Sequence, residues 1–111
     1  MLKNKPKPFG ITQGNQQGNE MVVFQWDDNK ERENIAKHGV SFSVAIKAFE
    51  DENYLLLPDI KHSKKEERLV CLGKVGDRVM TVRFTYRGEI IRIFGAAYWR
   101  KGKKEYEKNK K

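Results

Sequence analysis

Cysteine is nearly absent: Cys71 is the only one in 111 residues. No intrachain disulfide can form, and a cysteine-rich zinc site is excluded. Histidine occurs twice, as His38 and His62, without a spaced ligand motif. Neither a metal nor a cofactor is therefore predicted. No apolar run approaches the roughly 20 residues of a membrane span. The start, Met1 to Pro8, is lysine-rich and lacks the apolar stretch of about 7–15 residues that a signal peptide carries. There is no glycine-rich phosphate loop, since Gly73 and Gly76 read as turn residues. These absences predict a soluble, cytoplasmic protein without membrane association, of one domain by its length.

Positive charge is in excess, with 23 Lys and Arg against 15 Asp and Glu, a net +8. It is unevenly spread. Residues 21–97 hold 13 basic and 12 acidic residues, a net +1, whereas residues 98–111 hold seven and two, a net +5. A basic segment of this kind attracts polyanions through counterion release. A solubilising tail or a contact for an acidic protein would show the same charge.

Residues 1–20 combine two Pro, three Gly and three Gln with few apolar residues. Such a composition buries too little surface to order itself, so a disordered extension is predicted. A single domain then spans residues 21–111. Val22-Val23-Phe24-Gln25-Trp26 reads as a strand. Asp27 or Asp28 can cap a helix running to His38, ended by Gly39 in a left-handed conformation. Its apolar face is thin, chiefly Ile35 and Ala36. Ser41 can cap a second helix, in which Phe42, Ala45, Ile46 and Phe49 share one face. Tyr54 to Leu57 is a strand closed by Pro58. Three β runs follow, over Arg68 to Gly73, Val79 to Tyr86 and Glu89 to Ala96, and a short helix starts near Lys101. The order β-α-α-β-β-β-β(-α) predicts an α+β fold: a mainly antiparallel sheet with two helices packed on one face.

If Arg87-Gly88 is a two-residue loop, Phe84 opposes Ile91 and Val82 opposes Ile93. Met80, Val82, Phe84, Ile91 and Ile93 then share the face toward the helices. In that register Arg83 lies opposite Arg92 on the other face. Like charges directly opposite are destabilising, so either carboxylates or water relieve the pair, or a phosphate sits between them. Depending on the length of the preceding loop, Arg68 joins the same row.

Other residues could carry chemistry. His62 lies near Glu66, Glu67 and Arg68, and all three types suit proton transfer or anion binding. Lys37 and His38 close the first helix, where cations also suit its dipole. Trp99 and Tyr106 alternate with Arg100, Lys103 and Lys104. Aromatics can stack bases while cations hold phosphates, or they can anchor the tail on the sheet. Cys71 reads as a small core residue.

Phe24-Gln25-Trp26-Asp27, Lys37-His38-Gly39-Val40-Ser41-Phe42, Ala48-Phe49, Pro58-Asp59, His62-Ser63, Glu66-Glu67-Arg68 and Arg92-Ile93 resemble, in order and spacing, the BrnT family of toxins from type II toxin–antitoxin systems. The resemblance covers about residues 22–108. It implies a fold like that of the RelE-type ribonuclease toxins, RNA cleavage, arrest of translation and neutralisation by a small cognate antitoxin. That antitoxin, BrnA-like, carries a DNA-binding domain, so DNA would be contacted only through the toxin–antitoxin complex. The chain departs from the pattern near its end: Ala97 lies about where many relatives carry an arginine, with Arg100 the nearest substitute, and Lys103-Lys104-Glu105 precedes Tyr106 where many carry a Glu-Arg pair.

Together these readings predict a metal-independent endoribonuclease in which the 2′-hydroxyl attacks the adjacent phosphate. The catalytic candidates are His62, Glu66, Glu67, Arg68, Arg83 and Arg92. The RNA-binding candidates are Lys37, Trp99, Arg100, Lys103, Lys104 and Tyr106. The alternative is a non-catalytic module that binds RNA or the antitoxin and cleaves nothing.

Overall fold

The computed structural model describes residues 13–14 and 21–109. The elements run β1 (Gln13–Gly14), β2 (Met21–Gln25), α1 (Asp28–His38), α2 (Phe42–Ala45), β3 (Leu55–Pro58), β4 (Leu69–Val75), β5 (Arg78–Arg87), β6 (Ile90–Ala97) and α3 (Arg100–Asn109). The disorder expected over residues 1–20 lies outside the described residues, save that Gln13 and Gly14 pair antiparallel with Val22 and Met21. Strand order in the sheet is β1-β2-β6-β5-β4-β3. Among the described strands, only β2 and β6 run parallel. The fold is α+β as expected: a mostly antiparallel sheet with α1, α2 and the terminal helix expected near Lys101, here α3.

Local chemistry explains the helix boundaries. Gly39 adopts φ 70° and donates its N–H to the Ile35 carbonyl, closing α1 in the left-handed conformation that glycine tolerates. Asp27 stands at the start of α1 but makes no side-chain cap. Ser41 does cap α2, its Oγ accepting from the Val44 N–H at 3.2 Å. The second helix is shorter than its periodicity predicts. It tightens after Ala45 into a 3-10 turn, Ile46–Glu50. There the Ala48 carbonyl lies against Gly73, where any Cβ would collide with it.

The face of α1 differs from the sequence reading. Asn34 is its buried residue, while Ile35 is 44% exposed. The reason is a backbone need rather than an apolar one. Asn34 Nδ2 donates to the carbonyls of Val40 and Ala96 at 2.9 and 2.8 Å, and its Oδ1 accepts from the Ala96 N–H at 3.1 Å.

One sheet face carries Cys71, Met80, Val82, Phe84, Ile91 and Ile93, which pack with Phe24, Trp26, Phe42 and Ala45 in the main core. The face predicted to meet the two helices is thus the observed one. The opposite face holds a second cluster, in which Leu72 and Val79 are covered by Tyr106 of α3. Gly102 lets α3 approach, since a Cβ there would meet Thr81 Oγ1.

The expected β5–β6 register is overturned. The loop is Gly88-Glu89, with Gly88 at φ 65°, so Arg87 pairs with Ile90, Thr85 with Arg92 and Phe84 with Ile93. Between Arg83 and Phe84 the register shifts again, and Arg83 pairs with Gly95. Phe94 is the extra residue of a β-bulge. Arg83 and Arg92 are therefore not directly opposite, and the repulsion expected between them does not arise. Among the described residues no helix is long and apolar enough to cross a membrane.

Candidate functional site

The sheet face opposite the main core is only partly covered by α3. A cleft of about 450 Å³ remains beside it, between α3 and the segment after β3. Its floor is Leu57, Val70, Leu72, Thr81 and Arg83. Asp59, Lys61 and His62 form one wall, and Trp99, Lys101 and Glu105 the other.

The first wall is built by a stapled turn. Pro58 pairs with Leu69 at the edge of the sheet. The Asp59 N–H then donates to the Arg68 carbonyl at 2.8 Å. Ser63 Oγ donates to the Asp59 carbonyl at 2.8 Å and accepts from the Arg68 N–H at 2.9 Å. A 3-10 turn, Ile60–His62, is held inside this staple. It brings His62 Nδ1 within 3.0 Å of the Asp59 carboxylate. The Asp59 side chain is 12% exposed and that of His62 46%. A carboxylate on Nδ1 favours the tautomer with the proton there, leaving Nε2 as an acceptor.

Arg83 faces that wall from the floor. Its Nε is buried with no hydrogen-bond partner among the described residues. Its guanidinium carbon stands 5.6 Å from the centre of the Trp99 ring. Trp99 also meets the His38 ring edge-on, with the ring centres 5.4 Å apart. His38, read from sequence as a helix terminus, thus also supports the second wall. A histidine held by a carboxylate, an arginine whose Nε has no partner among the described residues, and an aromatic ring share one cleft. Such a cleft can hold a phosphodiester, accept a proton beside it and stack a base.

Other expected residues lie outside the cleft. The Arg68 guanidinium stacks on Phe94 at 3.8 Å. Glu66 is 3.5 Å from Arg68 and 3.3 Å from Arg87, so its charge is already engaged by cations. Glu67 is exposed, and its carbonyl accepts from Thr85 Oγ1 at 2.6 Å. Arg92 donates to Gln25 Oε1 at 2.7 Å. Burial and the neighbouring Arg87 lower its pKa, while Asp27 and Glu66 act in the opposite sense. Arg68, Arg87 and Arg92 with Phe94 form a second cationic group on the same sheet face as Arg83.

Among the expected RNA contacts, Lys37, Arg100, Lys103 and Lys104 are exposed. Tyr106 is 2% exposed, and of the two roles open to it from sequence it takes the anchoring one. Its hydroxyl donates to Asp51 Oδ2 at 2.6 Å. Burial, then this bond, push its pKa up to about 12. Burial also raises the pKa of Cys71, which is fully enclosed in the core. Asp59 entered the sequence reading only within the family pattern, as Pro58-Asp59, with no role assigned to it. An Asp three residues before a histidine is the signal that could have found Asp59. Among the described residues, no group of three or more His, Cys, Asp or Glu is placed to hold a metal ion.

A family model described as the ribonuclease toxin BrnT of type II toxin–antitoxin systems matches residues 26–103. That span includes every cleft residue named above except Glu105. No curated protein matches the chain.

Proposed function

Since the chain belongs to the BrnT family of ribonuclease toxins of type II toxin–antitoxin systems, we propose that the cleft beside α3 cleaves RNA without a metal ion. The family implies an RNA substrate and an antitoxin partner. The observation that carries the reading is the pairing, in one cleft, of the His62–Asp59 couple with Arg83 and Trp99.

His62 Nε2 takes the proton of the ribose 2′-hydroxyl. The 2′-oxygen attacks the adjacent phosphorus, and the bond to the 5′-oxygen breaks. The products are a 2′,3′-cyclic phosphate and a 5′-hydroxyl, whose oxygen is protonated by water in the open cleft. Asp59 stabilises the imidazolium that forms. Arg83 donates to the phosphorane oxygens, where charge grows most. Trp99 stacks a flanking base. Arg68, Arg87 and Arg92 hold a neighbouring phosphate, with Glu66 balancing their charge. Lys37, Arg100, Lys103 and Lys104 guide the strand. The element order suits a RelE-type toxin fold, and the antitoxin is a BrnA-like DNA-binding protein acting in the cytoplasm.

The test is cleavage of an end-labelled RNA by the full chain in EDTA, beside His62→Ala and Arg83→Ala. Cyclic-phosphate ends are expected from the parent, with each variant slower by about 10²–10³-fold. Equal cleavage by all three would refute the roles given to these residues. A second reading, a binding module that cleaves nothing, draws on Ala97. It is 4% exposed and faces Thr81, so no cation occupies that position. RNA binding without cleavage would establish it.

A further inference from the structure

The bulge in β6 has a consequence for the cleft. Were the pairing of Phe84 with Ile93 continued without interruption, Arg83 would lie opposite Phe94. The bulge at Phe94 puts Gly95 there instead. A Cβ on Gly95 would fall 2.9 Å from Arg83 Nη2 and 3.5 Å from its Cζ and Nε. The Arg83 side chain thus lies across the space that a side chain at position 95 would fill. Displaced by one residue, Phe94 serves as the platform under Arg68.

We infer that Gly95 is a positioning residue: it seats the Arg83 guanidinium in the cleft by leaving the opposing strand bare. The inference rests on the reading of that cleft as the RNA-cleaving site. Gly95 touches no substrate; it acts through Arg83. Its φ does not lie in the left-handed region, since the positive-φ glycines described are Gly39, Gly76 and Gly88. Alanine at 95 is therefore compatible with the backbone, and the far end of Arg83 is what must yield. A misplacement of about 1 Å at a reacting centre can lower a rate by about 10²-fold.

The experiment is a double-mutant cycle in the full chain with Gly95→Ala, Arg83→Ala and both together. RNA cleavage in EDTA, RNA affinity and melting temperature are measured for each. Gly95→Ala should lower kcat by about 10–100-fold with RNA affinity nearly unchanged. In the Arg83→Ala background it should add no further loss. If Gly95→Ala unfolds the chain, Arg83→Ala should restore folding, because the clash is with that side chain alone. Full activity of Gly95→Ala beside an impaired Arg83→Ala would overturn the inference. So would an equal effect of Gly95→Ala, on rate or melting, with and without Arg83. Unimpaired cleavage by Arg83→Ala would overturn the reading of the site itself, and this inference with it.

Discussion

Asn34→Ala should destabilise the chain more than any exposed substitution on α1. The magnitude follows from what Asn34 satisfies. Pairing of β2 with β6 ends at Gln25 and Arg92, so among the described residues Ala96 has no strand neighbour on that side. Asn34 takes the place of one, meeting both the N–H and the carbonyl of Ala96 and also the carbonyl of Val40. It is 8% exposed, and Val40 and Ala96 are buried. Three such bonds at a net ~1 kcal/mol each give about 3 kcal/mol, and backbone groups left buried without partners raise this toward about 5 kcal/mol. Water entering the vacated space would hold the loss near the lower figure. For a domain of this size, 3 kcal/mol corresponds to a Tm lower by ~12–24 °C. Equilibrium urea denaturation is the assay, with the midpoint falling at an unchanged slope. Asn34→Asp sharpens it: a carboxylate keeps the acceptor but faces two carbonyls with no donor, so that variant should regain stability as acid protonates it. A loss below about 1 kcal/mol for Asn34→Ala would refute the account of Asn34 as a substitute strand.

Further outcomes follow from the docking of α3. Tyr106→Phe removes the bond to Asp51, a charged acceptor, and should lower stability by about 1.5–3 kcal/mol in the same assay. The pH profile has two windows. Burial alone would raise the pKa of Asp51, but its bonds from Tyr106, Lys74 and Asn53 bring it below its ordinary 3.8. Its contribution is present above that value and is lost as pH falls through the lower folded one. Tyr106, raised from 10 to about 12, contributes fully below pH 10 and loses that contribution as pH climbs toward 12. Tyr106→Phe should therefore flatten the alkaline limb of a stability–pH curve. Gly102→Ala reverses the usual rule: alanine favours a helix by about 1 kcal/mol over glycine, yet here its Cβ meets Thr81 Oγ1. A lower melting temperature is expected, and a higher one would contradict the close approach of α3.

Local pattern carries far in this chain. Strands and helices stand near their expected bounds because alternation, helical spacing and Gly39 act over a few residues. The core face of β5 and β6 was legible for the same reason: Met80, Val82, Phe84, Ile91 and Ile93 keep their face even when the pairing slides by two residues. Cys71 in the core and Ser41 as a cap needed no more than residue type and position.

Sequence by itself thus determined the α+β element order, the face that meets α1 and α2, and the residue types at the cleft, His62 and Arg83 among them. The family membership rests on the same string of residues. The tertiary structure alone decided which of these groups meet. The Arg83–Arg92 opposition failed because pairing depends on where a turn closes and where a bulge falls, and neither is written in side-chain alternation. Asn34 and Tyr106 took their places because unpaired backbone and a bare sheet face had to be covered from far along the chain. His62, 21 residues before Arg83, came to face it through a staple at one sheet edge and a bulge near the centre. Contacts of that range are set by packing the whole domain, so no local reading of the residues contains them.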